Sequence, residues 1–125
     1  MMSIMQLQLI PCLWLIEVEG RLDQSQTPEL EKILKQLQND PQCSIIVDFS
    51  QATYINSGGL RCLLTSSRLA KSQGGDVVLC GLKARITEIF DMVGLNHVFT
   101  IYSTRGEAVD HFDSLQSDAP TGNSG

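Results

Sequence analysis

Short apolar runs alternate along this chain with stretches of helical periodicity. The two runs that open it, MQLQLI at 5–10 and LWLIEVEG at 13–20, predict strands that meet in an antiparallel pair near Pro11. Three more strands are predicted at CSIIVDFS (43–50), DVVLCGL (76–82) and HVFTIY (97–102). The first two of these three are continuous β-branched runs, the pattern of strands that are covered on both faces.

Helical spacing appears in two segments before residue 75. Thr27 and Pro28 predict an N-cap and a first helical residue. The apolar stripe of this helix is Leu30, Ile33, Leu34 and Leu37. The helix is predicted to stop at Asn39, Asp40 and Pro41. A second helix is predicted from Ser57 to Ser72, ended by Gly74 and Gly75. Its expected inner face is Leu60, Leu63, Leu64, Ser67 and Ala70, and its outer face is Arg61, Thr65, Arg68 and Ser72.

Two further helices follow. The third is predicted to bury Ile86, Ile89, Phe90 and Val93, and to end at a Gly94 C-cap with Leu95 as its hydrophobic contact. Thr104 and Glu107 have the spacing of a capping box, which predicts a fourth helix with Ala108, Phe112 and Leu115 facing inward.

Strands that are separated by helices imply parallel neighbours with right-handed crossovers. The sequence therefore predicts an α/β fold, with a central mixed β-sheet and about four α-helices. The chain has 125 residues, which suits one domain with one core, and we assign it to residues 1–116. Residues 117–125, SDAPTGNSG, are small and polar and predict a disordered tail.

Composition and net charge disfavour some classes of binding partner. The formal net charge is −5, which disfavours nucleic acid and anionic membranes as partners. The N-terminus has no basic residues typical of a signal peptide, and the most apolar stretch, LIPCLWLI, is too short to span a bilayer. We therefore expect a soluble, cytoplasmic protein.

The four cysteines, at positions 12, 43, 62 and 80, form no C-x-x-C pair and no cluster with histidine. This spacing gives no support for a metal site, and we expect no cofactor. Apolar neighbours surround each cysteine, which is typical of buried thiols in a reducing compartment.

The joint between the third strand and the second helix contains the residues that are the best candidates for a functional site. Asn56 or Ser57 is the natural N-cap, and Gly58 and Gly59 leave the backbone amides beside the Ser57 hydroxyl accessible. One interpretation is a capped helix and nothing more. The other is that Ser57 accepts a phosphate, whose charge of roughly −1.5 to −2 would change a docking surface while the fold is kept.

An enzymatic role is disfavoured. The sequence N-S-G-G around Ser57 differs from the G-x-S-x-G of a nucleophile elbow, and only His97 and His111 could serve as imidazole bases. We predict no catalytic residue. Asp23 is interpreted as a turn cap and Asp48 as a polar residue at a strand end. Arg61 and Arg68 are interpreted as a solvated helix face, and their position near Ser57 makes them candidates for partner contact.

Four segments in order carry a resemblance to a known family. GRLD at 20–23, IIVDFSQATYINSGGLRCLL at 45–64, GGDVVLCGL at 74–82 and IFDMVGLNHVFTIY at 89–102 resemble the STAS domain. Among its members, the chain resembles the bacterial anti-sigma factor antagonists, and the likeness covers nearly all of the chain except its tail.

The resemblance implies a function. Members of this group bind an anti-sigma factor that is also a serine kinase, and so control transcription that depends on a sigma factor. The kinase phosphorylates a serine at the start of the second helix, which breaks the complex, and a PP2C-type phosphatase restores binding. The family motif D-S-[ST]-G-L falls on residues 56–60, so Ser57 matches the phosphorylated serine and Asp23 the family's nearby aspartate.

Two residues depart from that motif. Asn56 replaces the usual aspartate, and Gly58 replaces the second hydroxyl residue, which leaves Ser57 as the one acceptor in the motif. The expected partner-binding residues are Asp23, Asn56, Ser57, Gly58, Gly59 and Arg61. The alternative is a nucleotide- or ligand-sensing STAS module, or a scaffold, that acts without a sigma factor.

Overall fold

The computed structural model describes residues 3–10, 13–37 and 44–117 as one sheet with helices on both faces. The sheet has five strands in the order β1 (Ser3–Ile10), β2 (Leu13–Leu22), β3 (Ser44–Ile55), β4 (Val77–Cys80) and β5 (Thr100–Tyr102). β1 pairs antiparallel with β2, and the other neighbours are parallel. The predicted mixed sheet is confirmed, while Pro11 and the stop at 39–41 lie outside the described residues.

Four α-helices connect or follow the parallel strands: α1 (Thr27–Leu37), α2 (Ser57–Ser72), α3 (Ala84–Met92) and α4 (Arg105–Ser117). The expected tail therefore lies outside the described residues except for Ser117, which ends α4. No helix within the described ranges is long and apolar enough to cross a membrane.

The sheet divides the buried residues into two clusters. The larger one lies under α1, α2 and α3, where Leu30, Leu63 and Phe90 pack on side chains of the strands such as Val47 and Phe49. The smaller one lies under α4 and contains Leu13, Leu15, Ile46, Val78, Cys80, Ala108 and Phe112. The predicted inward faces of the four helices are largely confirmed; the side chains of Leu37 and Leu115 lie outside the description.

Two details of the helices differ from the prediction. Thr27 is the first residue of α1 and does not cap it; its hydroxyl instead donates to the carbonyl oxygen of Asp23 or to the Asn56 side chain. Val93 is 53% exposed, because α3 ends at Met92 and Val93 already belongs to the turn. Gly94 has φ of 75°, the left-handed conformation expected of the glycine after a helix end.

Two strands have boundaries that differ from the prediction. β3 continues through Ile55, beyond the predicted end at residue 50. The predicted strand at 97–102 is wrong in its first half, because Leu95–His97 forms a 3₁₀ turn and β5 begins at Thr100. His97 is therefore an exposed turn residue and does not begin a strand.

Asp48 lies within β3 and is buried, so its interpretation as a strand-end residue is wrong. Its carboxylate accepts hydrogen bonds from the Ser50 backbone N–H (2.9 Å) and from Nη2 of Arg105 (2.8 Å). Arg105 also contacts Glu17, the residue that pairs with Asp48 on β2. Burial acts to raise the pKa of Asp48, but the bonds from Ser50 and Arg105 outweigh it and hold the pKa below its ordinary value.

The described cysteines are free thiols, with Cys80 buried and Cys62 half-buried. Burial raises the pKa of Cys62, and it raises that of Cys80 to about 12, so both thiols stay protonated at neutral pH. The prediction of buried thiols is confirmed for Cys80; Cys12 and Cys43 lie outside the described residues.

Candidate functional site

The joint between β3 and α2 is capped by Asn56. Its backbone is extended, and its side-chain oxygen accepts a hydrogen bond of 2.8 Å from the N–H of Gly59. Its own N–H donates to the carbonyl oxygen of Leu22 (3.0 Å), which fixes the joint to the end of β2. Of the two predicted N-caps, Asn56 is therefore the one the structure uses.

Ser57 is the first residue of α2 and does not cap it. Its side chain is exposed, and its hydroxyl makes no hydrogen bond to any residue that the structure describes. Because Asn56 alone supplies the cap, the Ser57 hydroxyl has no structural role among these residues.

Asp23 lies in the turn that precedes α1, and the Thr27 hydroxyl connects this turn to the joint. The Thr27 oxygen lies 3.0 Å from the carbonyl oxygen of Asp23 and 3.2 Å from the side-chain oxygen of Asn56. The Asp23 carboxylate accepts hydrogen bonds from the hydroxyl and the N–H of Ser25, and these bonds lower its pKa. The turn-cap interpretation of Asp23 is confirmed.

The two glycines after Ser57 have different environments. A Cβ on Gly58 would lie 3.3 Å from the Thr27 methyl group, which is a tight contact at the surface of the joint. A Cβ on Gly59 would lie 2.9 Å from side-chain carbons of both Ile55 and Leu22, which are buried. Gly59 therefore allows α2 to approach the sheet closely, while Gly58 is half-buried and lines the surface groove described next.

A groove of about 950 Å³ runs between α1 and α2 and ends at this joint. Of the six residues predicted to bind a partner, five line this groove (Asp23, Asn56, Ser57, Gly58 and Arg61), and buried Gly59 does not. α1 contributes Pro28, Glu31, Leu34 and Lys35, and the far part of α2 contributes Cys62, Thr65, Ser66 and Leu69. The groove has the volume of a small-molecule site.

The charges in the groove are not evenly compensated. Asp23 is bonded to Ser25, and Glu31 lies 3.9 Å from Lys35 on the same helix. The guanidinium of Arg21 lies over the Tyr54 ring, 4.4 Å from its centroid. Three cations and two carboxylates line the groove, so its formal charge is +1 on a chain of net charge −5, and Arg21 and Arg61 make no ion pair with any described residue.

Several groove residues escaped the sequence analysis. Arg21 and Tyr54 lie at the paired ends of β2 and β3, and Glu31 and Lys35 lie on α1. The GRLD segment contains Arg21 beside Asp23, which is a signal that could have identified it. No local pattern could have placed Lys35 opposite α2, because that proximity depends on how the two helices pack.

The structure also places the two arginines of the predicted outer helix face and the two histidines. Arg68 is exposed on α2 but does not line the groove, whereas Arg61 does. His111 lies against Tyr102, with its Nδ1 2.8 Å from the tyrosine oxygen, and neither histidine lines the groove. Within residues 3–10, 13–37 and 44–117, no cluster of histidine, cysteine or carboxylate residues could hold a metal ion.

Comparison with known proteins identifies relatives over most of the chain. BtrV of Bordetella bronchiseptica, designated an anti-sigma factor antagonist, is 28% identical over 104 residues, which cover 83% of this chain and 85% of BtrV. The anti-sigma-B factor antagonist of Listeria monocytogenes is 25% identical over 92 residues, which cover 74% of this chain and 81% of that protein.

The fold matches solved structures closely. The anti-sigma factor antagonist SpoIIAA in its unphosphorylated form superposes with a TM-score of 0.79 at 19% identity, covering 90% of this chain and 97% of SpoIIAA. The phosphorylated form of Bacillus SpoIIAA gives a TM-score of 0.71 at 19% identity, with coverage of 88% and 99%. At this identity, the likeness shows that the fold is shared. The STAS domain family model matches residues 5–108, and the chain therefore belongs to the STAS domain family.

Proposed function

We propose that this chain is an anti-sigma factor antagonist controlled by phosphorylation of Ser57. Without phosphate, it binds an anti-sigma factor that is also a serine kinase and keeps that protein from its sigma factor. With phosphate on Ser57 it is released, and a PP2C-type phosphatase returns it to the binding form. The chain itself acts as a binding protein and not as an enzyme.

The observation that carries this proposal is the environment of Ser57. The residue is exposed on the wall of the groove, and Asn56 performs the capping that would otherwise occupy its hydroxyl. A modification there changes the surface without breaking a hydrogen bond between described residues. The relatives named as antagonists, and a SpoIIAA structure in a phosphorylated form, support the same assignment.

The chemistry of the switch is a phosphoryl transfer carried out by the partner. The Ser57 Oγ attacks the γ-phosphorus of a nucleoside triphosphate bound to the kinase, the Oγ–P bond forms, and the nucleoside diphosphate leaves. The hydroxyl proton passes to a base of the kinase. The product carries roughly −1.5 to −2 charges where the serine was neutral, which places an anion in the docking surface.

The departures from the family motif are compatible with this mechanism. Asn56 makes the capping bond with its amide oxygen, so α2 begins at Ser57 without an acidic cap. Gly58 leaves Ser57 as the hydroxyl of the motif and exposes it to an approaching kinase. The docking surface that we propose consists of Asp23, Asn56, Ser57, Gly58 and Arg61, with Gly59 supporting it from below.

The test begins with the partner. Tagged Ser57→Ala chain is used to recover bound proteins from the host, and the recovered protein is produced in pure form. We expect it to phosphorylate the wild-type chain with ATP, and to bind Ser57→Asp at least about tenfold more weakly than wild type in calorimetric titration. Equal affinity for the Ser57→Asp and wild-type chains would contradict the proposal.

One observation favours a second candidate, a ligand-sensing module. The groove has a volume of about 950 Å³ and contains Arg21 over Tyr54 together with Arg61, a combination suited to an anionic ligand with an aromatic ring. A bound ligand raises the melting temperature by mass action. Thermal-shift titration with GTP and ATP tests this, and no shift at millimolar concentration rules out sensing of these two nucleotides.

A further inference from the structure

We propose that Arg61 binds the phosphate of phosphorylated Ser57 within the same chain, so that phosphorylation also withdraws Arg61 from the docking surface. This inference rests on the proposed phosphorylation of Ser57 and specifies how the chain responds to it. Phosphorylation then has two effects on the docking surface: it adds an anion, and it makes the cation of Arg61 unavailable to the partner.

The spacing of the two residues brings them together. Ser57 and Arg61 are four residues apart on α2, and both are exposed and line the groove. Residues at this spacing lie on one face of a helix, with Cβ atoms about 5–6 Å apart. A guanidinium at that distance reaches a phosphate on the preceding turn and can donate two parallel hydrogen bonds to it.

Arg61 is also the cation that is most available. Lys35 lies beside Glu31, and the guanidinium of Arg21 is held over the Tyr54 ring. Arg61 makes no hydrogen bond or ion pair with any residue in the described part of the chain, so a phosphate on Ser57 displaces no existing partner. The residues next to Ser57 in sequence, Asn56 and Gly58, are uncharged. The carboxylate at this end of the groove is that of Asp23, which accepts its hydrogen bonds from Ser25 and not from Arg61.

This pairing has a consequence for release of the partner. In the unphosphorylated chain, the free guanidinium of Arg61 is available to an acidic group on the partner. In the phosphorylated chain, the nearer phosphate occupies it. Loss of binding then exceeds what Arg61→Gln alone produces, because the phosphate also adds repulsion.

The experiment uses the full chain with phosphoserine encoded genetically at position 57, so that no kinase or partner is needed. Titration followed by ³¹P NMR gives the pH midpoint of the phosphate. We expect the midpoint in Arg61→Gln to lie roughly 0.2–0.7 pH unit above that of the chain with Arg61, because a bound cation favours the dianion. The matched control is Arg68→Gln, on the same helix and exposed but outside the groove, and it should leave the midpoint unchanged.

A second measurement needs no arginine variant. The Arg61 Nε–H resonance should shift when serine is replaced by phosphoserine at position 57, while that of Arg68 should not. An unchanged midpoint in Arg61→Gln, or an equal change in Arg68→Gln, overturns the inference. That result leaves the proposed function intact if Ser57→Asp still weakens partner binding, whereas an unmodified Ser57 in the host overturns the proposed function even if the ion pair forms.

Discussion

Two helices of this protein begin directly after parallel strands, yet their first residues are held in opposite ways. At the start of α4, Thr104 and Glu107 form a reciprocal capping box, and Arg105 is bonded to Asp48 and Glu17 on the sheet. At the start of α2, Asn56 supplies the cap, and Ser57 makes no hydrogen bond to a described residue.

The first side chain of α4 is bonded to the sheet, whereas the first side chain of α2 makes no such contact and leaves its hydroxyl at the surface. The bonds of Arg105 fix α4 across one face of the sheet and bring a cation to two neighbouring carboxylates that would otherwise repel each other. The bonds of Asn56 hold α2 equally well, but they leave the next residue unused. Ser57 can therefore change its charge at little expense to the fold.

The largest effect is expected from Asp48→Ala, which removes the buried β3 carboxylate to which Arg105, the first residue of α4, is bonded. The Ser50 N–H and the Arg105 guanidinium then lose their shared acceptor. We expect a loss of about 2–4 kcal/mol in the free energy of unfolding, measured by urea denaturation. Asp110→Ala, an exposed position on α4, is the control, and a loss for Asp48→Ala no larger than for Asp110→Ala would break the comparison.

The loss of stability in Asp48→Ala should also depend on pH. The pKa of Asp48 is lower in the folded chain than in the unfolded chain, so its ionisation stabilises the fold above about pH 4 and this contribution is lost as the pH falls through the folded pKa. The stability difference between wild type and Asp48→Ala should therefore narrow below about pH 4. A difference that stays constant from pH 7 to pH 3 would show that the charge of Asp48 is unimportant.

An intermediate effect is expected from Gly59→Ala. The new Cβ would lie 2.9 Å from carbons of Ile55 and Leu22, so α2 must move away from the sheet, at a loss of about 1–3 kcal/mol. Gly58→Ala is the matched control, with a nearest contact of 3.3 Å, and should stay within about 0.5 kcal/mol of wild type. Equal effects in urea denaturation would contradict the distinction between a packed and an exposed glycine.

The smallest effects on stability are expected at the N-cap residue, Asn56, and at its neighbour, Ser57. Asn56→Ala should destabilise the fold by about 1 kcal/mol, because the Gly59 N–H loses its acceptor. Ser57→Ala should change stability by less than about 0.5 kcal/mol. If Ser57→Ala were the more destabilising of the two in thermal or urea unfolding, the hydroxyl would have a structural role, and a switch at that position would be harder to justify.

Local patterns predicted the elements of this fold well. The apolar stripe of α1, the buried runs of β3 and β4 and the Thr104–Glu107 capping box each arise from residues close in sequence, and the structure confirms them. The start of β5 was misplaced because a β-branched and aromatic run at 98–101 looks like a strand, although the 3₁₀ turn after Gly94 delays the strand to Thr100.

Features that depend on distant residues could not be predicted. Asp48 and Arg105 are 57 residues apart, so nothing near either residue indicates that they pair. The charged part of the groove likewise requires that α1 pack beside α2. The joint itself was located from sequence, but the choice between Asn56 and Ser57 as the cap depends on backbone geometry that either residue could have adopted.

The most direct test of the central claim is to map phosphorylation on the protein purified from its host, by mass spectrometry, in growth and under stress. The Ser57→Ala chain is the control. We predict phosphate on Ser57 in at least one condition, and none at that position in the control. A Ser57 that remains unmodified in every condition would contradict the account and favour a constitutive binder or a ligand sensor.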